Sequence, residues 1–100
     1  MTYEKIEREK RAEVFTLYFA AQEGDLTMVT QRIVGGADVN TAGCRDGSTP
    51  LFIAAQNGHT AIVSKLLQHG ADKSIRGWQN EKPLEAAQRN NHAAIVALLA

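Results

Sequence analysis

Cysteine is almost absent from this chain, whose only one is Cys44. A single cysteine excludes an internal disulfide framework and a four-cysteine metal site. It also fits a reducing compartment, so we expect a cytoplasmic protein. The N-terminus has no apolar signal segment and no stretch approaches about 18 uninterrupted apolar residues, so neither secretion nor membrane insertion is predicted. A mature protein that had lost its signal before residue 1 would show the same sequence.

The chain also lacks an excess of charge of either sign, since 11 basic residues balance 11 acidic ones. Without a basic face, binding to nucleic acid or to an anionic membrane surface is not expected. The hydrophobic content of 44% is ordinary for a folded protein, and 100 residues leave room for one domain of modest size. Disorder is therefore not predicted.

What the chain does contain is an internal repeat. When residues 46–67 are laid on residues 79–100, an offset of 33, the two segments are identical at 9 of 22 positions. An earlier copy matches when residues 14–40 are laid on residues 48–74, an offset of 34. The chain is therefore about two and a half copies of one unit, and repeated units of this length predict a stack.

Each copy is predicted to form a turn followed by two short helices. In the central copy, Thr49 can cap the first helix and Pro50 fits its first position, where no amide donor is missed. Gly58 is typical of a helix end, and a second helix then runs to Gly70. The apolar stripes consist of Leu51, Ala54 and Ala55 in the first helix, and of Ile62, Val63, Leu66 and Leu67 in the second.

The central copy carries the most specific motifs, namely Thr49-Pro50-Leu51-Phe52-Ile53-Ala54-Ala55, Gly58-His59, Ile62-Val63, Leu66-Leu67 and Gly70-Ala71-Asp72. This pattern resembles the ankyrin repeat, whose period of about 33 residues matches. The resemblance implies an all-α fold, an ankyrin-repeat helical solenoid of stacked helix–turn–helix hairpins with extended β-turn fingers. Phe52 departs from the family, which usually has histidine there, and Tyr18 and Glu85 take the same place in the other copies. The hydrogen bonds that this histidine normally makes are therefore not predicted here.

The resemblance divides the chain into four segments. They are a charged N-terminal extension at 1–13, an N-terminal capping-like ankyrin repeat at 14–45, a central ankyrin repeat at 46–78 and a truncated C-terminal ankyrin repeat at 79–100. Charge pairs at i, i+4 spacing predict that the extension is helical and continuous with the first repeat helix, as one helix over residues 3–22. A frayed tail is the alternative.

The third copy breaks off in mid helix without a polar outer face, whereas terminal repeats normally have polar caps. Its apolar end, Ile95, Leu98 and Leu99, therefore predicts an alternative working surface. This surface would mediate weak self-association, or docking within a larger assembly.

No catalytic constellation is predicted. His59 and His92 occupy equivalent repeat positions, which favours a structural role that ties turn to helix, and His69 precedes a glycine that ends a helix. Cys44 has no partner base at any motif spacing, and the glycines show no phosphate-loop pattern. We therefore expect no enzymatic activity, no cofactor and no metal.

The family resemblance implies that recognition uses the turn tips and the exposed face of each first helix. The turn tips map to Arg45, Asp46, Ser48, Trp78, Gln79 and Glu81, and the inner-helix positions to Gln22, Glu23, Gln56, Asn57, Arg89 and Asn90. The first turn also has an extra residue near Cys44, which lengthens that finger. The expected function is that of an adaptor or inhibitor that binds a protein partner, whose identity the sequence does not indicate.

Trp78 is the strongest single candidate. It lies in a turn beside Arg76, not on an apolar helical stripe, and this composition is typical of an interface hot spot. The alternative is that Trp78 folds back onto the stack, with Asn80 in the left-handed position that Gly47 holds upstream.

Overall fold

The computed structural model describes residues 17–43 and 46–100, and the helices within them form consecutive hairpins. The helices are α1 (17–23 of the described part), α2 (Leu26–Val34), α3 (Pro50–Asn57), α4 (Thr60–Gln68), α5 (Pro83–Arg89) and α6 (Ala93–Leu99), with a 3-10 turn at Trp78–Asn80. α3 packs against α4 and α5, while α4 packs against α2 and α6. The described part is a two-layered helical stack without strands, so the predicted all-α solenoid is confirmed.

The ends of the central helices follow the local sequence. The Thr49 hydroxyl accepts a hydrogen bond from the Phe52 amide at 3.3 Å, and Pro50 occupies the first turn of α3. Gly58 ends α3 in the left-handed conformation, with φ of 81°. At the equivalent place in the third repeat, Asn91 adopts φ of 62°. The predicted cap and glycine stop of α3 are thus confirmed.

The cap at Thr49 gives a first testable prediction. Thr49→Ala removes the acceptor for a helix amide that is buried from solvent, so we expect the free energy of unfolding to fall by about 0.5–2 kcal/mol. Urea denaturation followed by circular dichroism measures the change. Thr27→Ala, at an exposed position early in α2, is the control; an equal loss there would contradict the capping role.

The core lies between the helix layers and uses the stripes described above. The first helices of the hairpins, α1, α3 and α5, form the inner layer, and the second helices, α2, α4 and α6, form the outer layer. Small residues on the inner helices allow close packing, and larger aliphatic residues on the outer helices fill the space against them. The core contains Leu17, Ala20, Ala21, Val29, Leu51, Ala54, Ala55, Ile62, Val63, Leu66, Ala87, Ile95 and Leu99. Phe52 is also fully buried.

The predicted apolar surface at the end of the third repeat is wrong for two of its three residues. Ile95 and Leu99 are 0% and 3% exposed, because their i, i+4 spacing turns both side chains into the core beside α4. Only Leu98 faces outward, with 40% of its surface exposed. One half-exposed leucine is not the contiguous patch that the sequence suggested.

Two histidines link neighbouring repeats. Nε2 of His59 lies 2.9 Å from the Gln22 carbonyl oxygen, and Nε2 of His92 lies 3.0 Å from that of Gln56. Since a carbonyl only accepts, each Nε2 carries the proton and donates it. The predicted structural role, a tie between turn and helix, is therefore confirmed. The helix in each case belongs to the preceding repeat, so the bond also joins two repeats.

The fingers are closed by backbone hydrogen bonds. In the second finger, the Gly77 amide donates to the Glu81 carbonyl at 2.8 Å; in the first, the Gly43 amide donates to the Ser48 carbonyl at 2.9 Å. The first closure spans residues 43–48 and the second 77–81, so the first finger is one residue longer, as predicted. Cys44 and Arg45, in this finger, lie outside the described residues.

The bases of the fingers are also tied together. The Asn40 side chain accepts a hydrogen bond from the Asp72 amide at 2.7 Å and donates one to the Gly70 carbonyl at 3.3 Å. The Ser74 hydroxyl and amide both donate to the Asp72 carboxylate, and these bonds hold the pKa of Asp72 below its usual value.

The segment boundaries and the helix predicted for residues 3–22 stay predictions, because the N-terminal part lies outside the described residues.

Candidate functional site

A shallow groove of about 230 Å³ lies between the fingers and the inner helices. Asp46 and Trp78 form its finger side, and its helix side comes from α1, α3 and α5. The lining residues are Tyr18, Asp46, Ser48, Ile53, Gln56, Trp78 and Arg89. Five of these seven are sequence-predicted site residues, which the fold brings together from two fingers and two helices.

Trp78 is the large aromatic side chain of the groove. It is 41% exposed, and the Arg89 guanidinium carbon lies 5.1 Å from the centroid of its ring, in the range of a cation–π interaction. The Trp78 amide donates to the Ser48 hydroxyl at 3.1 Å. The residue is therefore held against the stack on one side while a large part of its surface remains open. Its predicted role as an interface hot spot stays a prediction.

Arg89 is in turn oriented by Glu81. Its Nε lies 3.1 Å from Oε2 of Glu81, and its Nη2 lies 3.0 Å from Oε1, so the two planar groups meet in a two-pronged ion pair. Such a pair restricts the guanidinium more than a single contact does. Glu81 and Arg89 thus hold the ring of Trp78 rather than presenting two free charges.

The backbone beneath Trp78 has an uncommon conformation. Gln79 and Asn80 adopt φ of 55° and 60°, the left-handed region that few residues other than glycine occupy. The prediction that Asn80 takes the left-handed place of Gly47, whose φ is 84°, is confirmed. Arg76 supports the turn from outside, because its Nη1 donates to the Asn80 carbonyl at 2.8 Å and contacts Glu85 at 3.3 Å.

Ser48 corrects the sequence interpretation. Its predicted place at an exposed turn tip is wrong, because the residue is 1% exposed. Its hydroxyl accepts from the Trp78 amide, and its own amide donates to the Asp46 carboxylate at 2.9 Å. Ser48 therefore holds the two fingers together beneath the groove.

The remaining predicted residues lie outside the groove or serve the fold. The Asn57 side chain donates to the Gln22 carbonyl at 3.2 Å, and the Asn90 side chain donates to the Ala86 carbonyl at 2.9 Å. Gln22 and Glu23 are exposed on α1, and Gln79 is exposed at the finger tip. Arg45 lies outside the described residues.

Tyr18 and Ile53 were not predicted as part of the groove. Tyr18 and Phe52 occupy the same repeat position, and both are aromatic. The repeat pattern therefore does not distinguish Tyr18, which lines the groove, from Phe52, which is fully buried. Ile53 is 8% exposed and belongs to the core, with only its edge reaching the groove. Helical periodicity alone does not reveal such residues at the boundary of a core.

Other kinds of site were sought in the described part of the chain. Residues 17–43 and 46–100 contain no cluster of three His, Cys, Asp or Glu side chains placed to hold a metal ion. Over the same residues, no helix has the length and apolar character needed to cross a membrane. The groove around Trp78 is taken as the candidate site because it brings five of the predicted site residues together.

Comparison with known families agrees with this architecture. The family model for ankyrin repeats, in three copies, matches residues 17–100. The chain therefore belongs to the ankyrin-repeat family. Ankyrin repeats are generally protein–protein interaction modules and are typically not enzymes. A search of curated proteins finds no match to this chain.

Proposed function

We propose that this chain is a non-enzymatic adaptor or inhibitor that binds a protein partner in the groove around Trp78. The observation that carries the proposal is a half-exposed tryptophan whose ring contacts the Arg89 guanidinium and whose backbone amide is held by the Ser48 hydroxyl. Tryptophan is enriched among the residues that dominate binding energy. A side chain that is held in place before binding loses less conformational entropy on association.

The surroundings of Trp78 favour a polypeptide over a small apolar ligand. The groove is shallow and open, and Asp46, Gln56 and Arg89 supply polar groups beside two aromatic residues, of which Trp78 is the larger. Protein interfaces combine such a central aromatic residue with a polar rim, whereas small-molecule sites are usually enclosed and mostly apolar. The balanced charge favours a protein partner over nucleic acid, and the single cysteine fits a reducing cytoplasm. We include both points in the proposal.

The test compares two side chains of nearly equal exposure on different faces. Trp78 is 41% exposed in the groove, and Leu98 is 40% exposed on α6. A partner is first identified by cross-linking and mass spectrometry with the native chain, and its affinity for each purified variant is then measured by isothermal titration calorimetry. We expect Trp78→Ala to weaken binding by about 30-fold, the loss typical of a hot-spot residue.

Leu98→Ala is the matched control, and we expect it to leave the affinity within about twofold. Circular dichroism and thermal unfolding of both variants show that the fold is retained. If Leu98→Ala abolishes binding while Trp78→Ala does not, the partner binds the outer helices and the proposed groove is wrong. Equal affinity of all three proteins also contradicts the proposal.

A further inference from the structure

Two contacts that join neighbouring repeats recur along the stack, but the third repeat lacks its half of each. We propose that the outward face of α5 and α6 is a closing face, at which Glu85 and Asn91 prevent a further ankyrin repeat from stacking. In both contacts, the residue that receives the next repeat in the earlier copies is replaced in the third by one that does not fit.

The first contact is a histidine ring above a glycine. His59 lies over Gly24 and His92 over Gly58, so that a Cβ built on either glycine would come within 2.8 Å or 2.7 Å of the ring carbon Cε1. Either histidine ring can move aside only by giving up its hydrogen bond to a backbone carbonyl of the preceding repeat. Asn91 stands where Gly24 and Gly58 stand, and its Cβ occupies the space that the next histidine needs.

The second contact is an aromatic ring against a finger glycine. Tyr18 lies against Gly43 and Phe52 against Gly77, where a Cβ would meet Phe52 ring atoms at 2.9 Å. The third repeat has Glu85 in this place. Its Oε1 accepts a hydrogen bond from the Lys82 amide at 2.9 Å and contacts Arg76, so the carboxylate is held within its own repeat. A following finger would bury this charge without an apolar ring to pack on.

A second copy of this chain meets the same obstacle. Asp25 stands in the first repeat where His59 and His92 stand in the later ones, and its carboxylate accepts from the Met28 amide at the start of α2. A carboxylate cannot donate to a carbonyl as the histidines do. Head-to-tail stacking of two copies would therefore lack the histidine on one side and the glycine on the other.

The experiment adds a fourth repeat to the full chain. A copy of residues 68–100 is attached after Ala100, which continues the 33-residue period and supplies the incoming finger glycine and histidine. One extended protein keeps the native third repeat, and a second carries Glu85→Phe and Asn91→Gly. The measurement is the slope of the unfolding free energy against urea concentration, which scales with the surface exposed on unfolding.

We expect this slope to rise by about one third in the extended double variant, in proportion to a fourth stacked repeat, and to stay unchanged in the extended native chain. An equal rise in both proteins overturns the proposal. No rise in the double variant overturns it as well, provided that the unextended double variant retains its helical circular dichroism.

A smaller pair of variants covers the case in which the double variant does not fold. The extended chain is then made with Asn91→Gly and, as control, with Asn91→Ala, which keeps a Cβ at the critical place. Hydrogen exchange of the added helices is expected to be slowed at least tenfold more by glycine than by alanine. Equal protection in the two proteins shows that the Cβ of residue 91 does not govern stacking and overturns the proposal.

Discussion

Phe52→Ala is expected to lower the free energy of unfolding by about 3–5 kcal/mol, the loss typical of removing a buried aromatic side chain from a core. Phe52 is 1% exposed, and its ring lies against Gly77 of the next finger. The variant leaves a cavity between two repeats, so the loss affects their interface as well as the core. Because small domains are stable by only about 5–15 kcal/mol, a large fraction of this variant is expected to be unfolded on warming. Urea and thermal denaturation followed by circular dichroism measure the effect.

The repeat supplies a matched control for this substitution. Glu85 occupies the position of Phe52 one copy later, and its side chain is 49% exposed. Glu85→Ala removes an exposed ion pair and one hydrogen bond to the Lys82 amide, so we expect a loss of about 1 kcal/mol or less. Similar losses in the two variants would contradict the assignment of Phe52 as a main contact between repeats.

Gly58→Ala is expected to produce the second large effect, about 2–4 kcal/mol of destabilisation. About 1 kcal/mol of this comes from the left-handed backbone, whose φ is 81°. The rest arises because the new Cβ displaces the His92 ring, which loses its hydrogen bond to the Gln56 carbonyl. Urea denaturation gives the stability, and the NMR signal of the His92 ring proton shows whether the hydrogen bond remains.

Gly70→Ala separates the two causes. Gly70 has a similar φ of 87°, but no atom lies within 4 Å of a Cβ built on it. This control therefore carries the backbone penalty alone, and we expect a loss of about 1 kcal/mol. If Gly70→Ala is as destabilising as Gly58→Ala, the contact with His92 contributes nothing to the effect.

The sequence predicts the features that depend on neighbouring residues. Thr49, Pro50 and Gly58 start and end α3 as expected, since caps and stops depend on local backbone chemistry. Asn80 takes the left-handed place of Gly47 because asparagine tolerates this conformation better than most residues. The class of fold follows from such features, repeated at a constant period.

Features that depend on distant partners were missed or misjudged. Ser48 looked like an exposed turn residue, but its hydroxyl meets the amide of Trp78, 30 positions away. His92 was expected to tie a turn to a helix, but its neighbours in sequence do not indicate that this helix is α3 of the preceding repeat, where the Gln56 carbonyl is its acceptor. Ile95 was wrongly predicted to lie on the surface for a related reason. The residues next to it in sequence do not bury it, whereas α4, from the preceding repeat, packs against it. The candidate groove is likewise assembled from segments that only the stack brings together.

Trp78 is the only tryptophan of the chain, and it stands at the groove with an arginine cation over its ring. Its indole emission therefore comes from this one place, and the emission energy depends on how much water and charge surround the ring. Under the proposed function, a polypeptide that enters the groove would replace part of that water and shift the emission to shorter wavelength. The native chain would then carry an intrinsic optical reporter of binding, with no label attached.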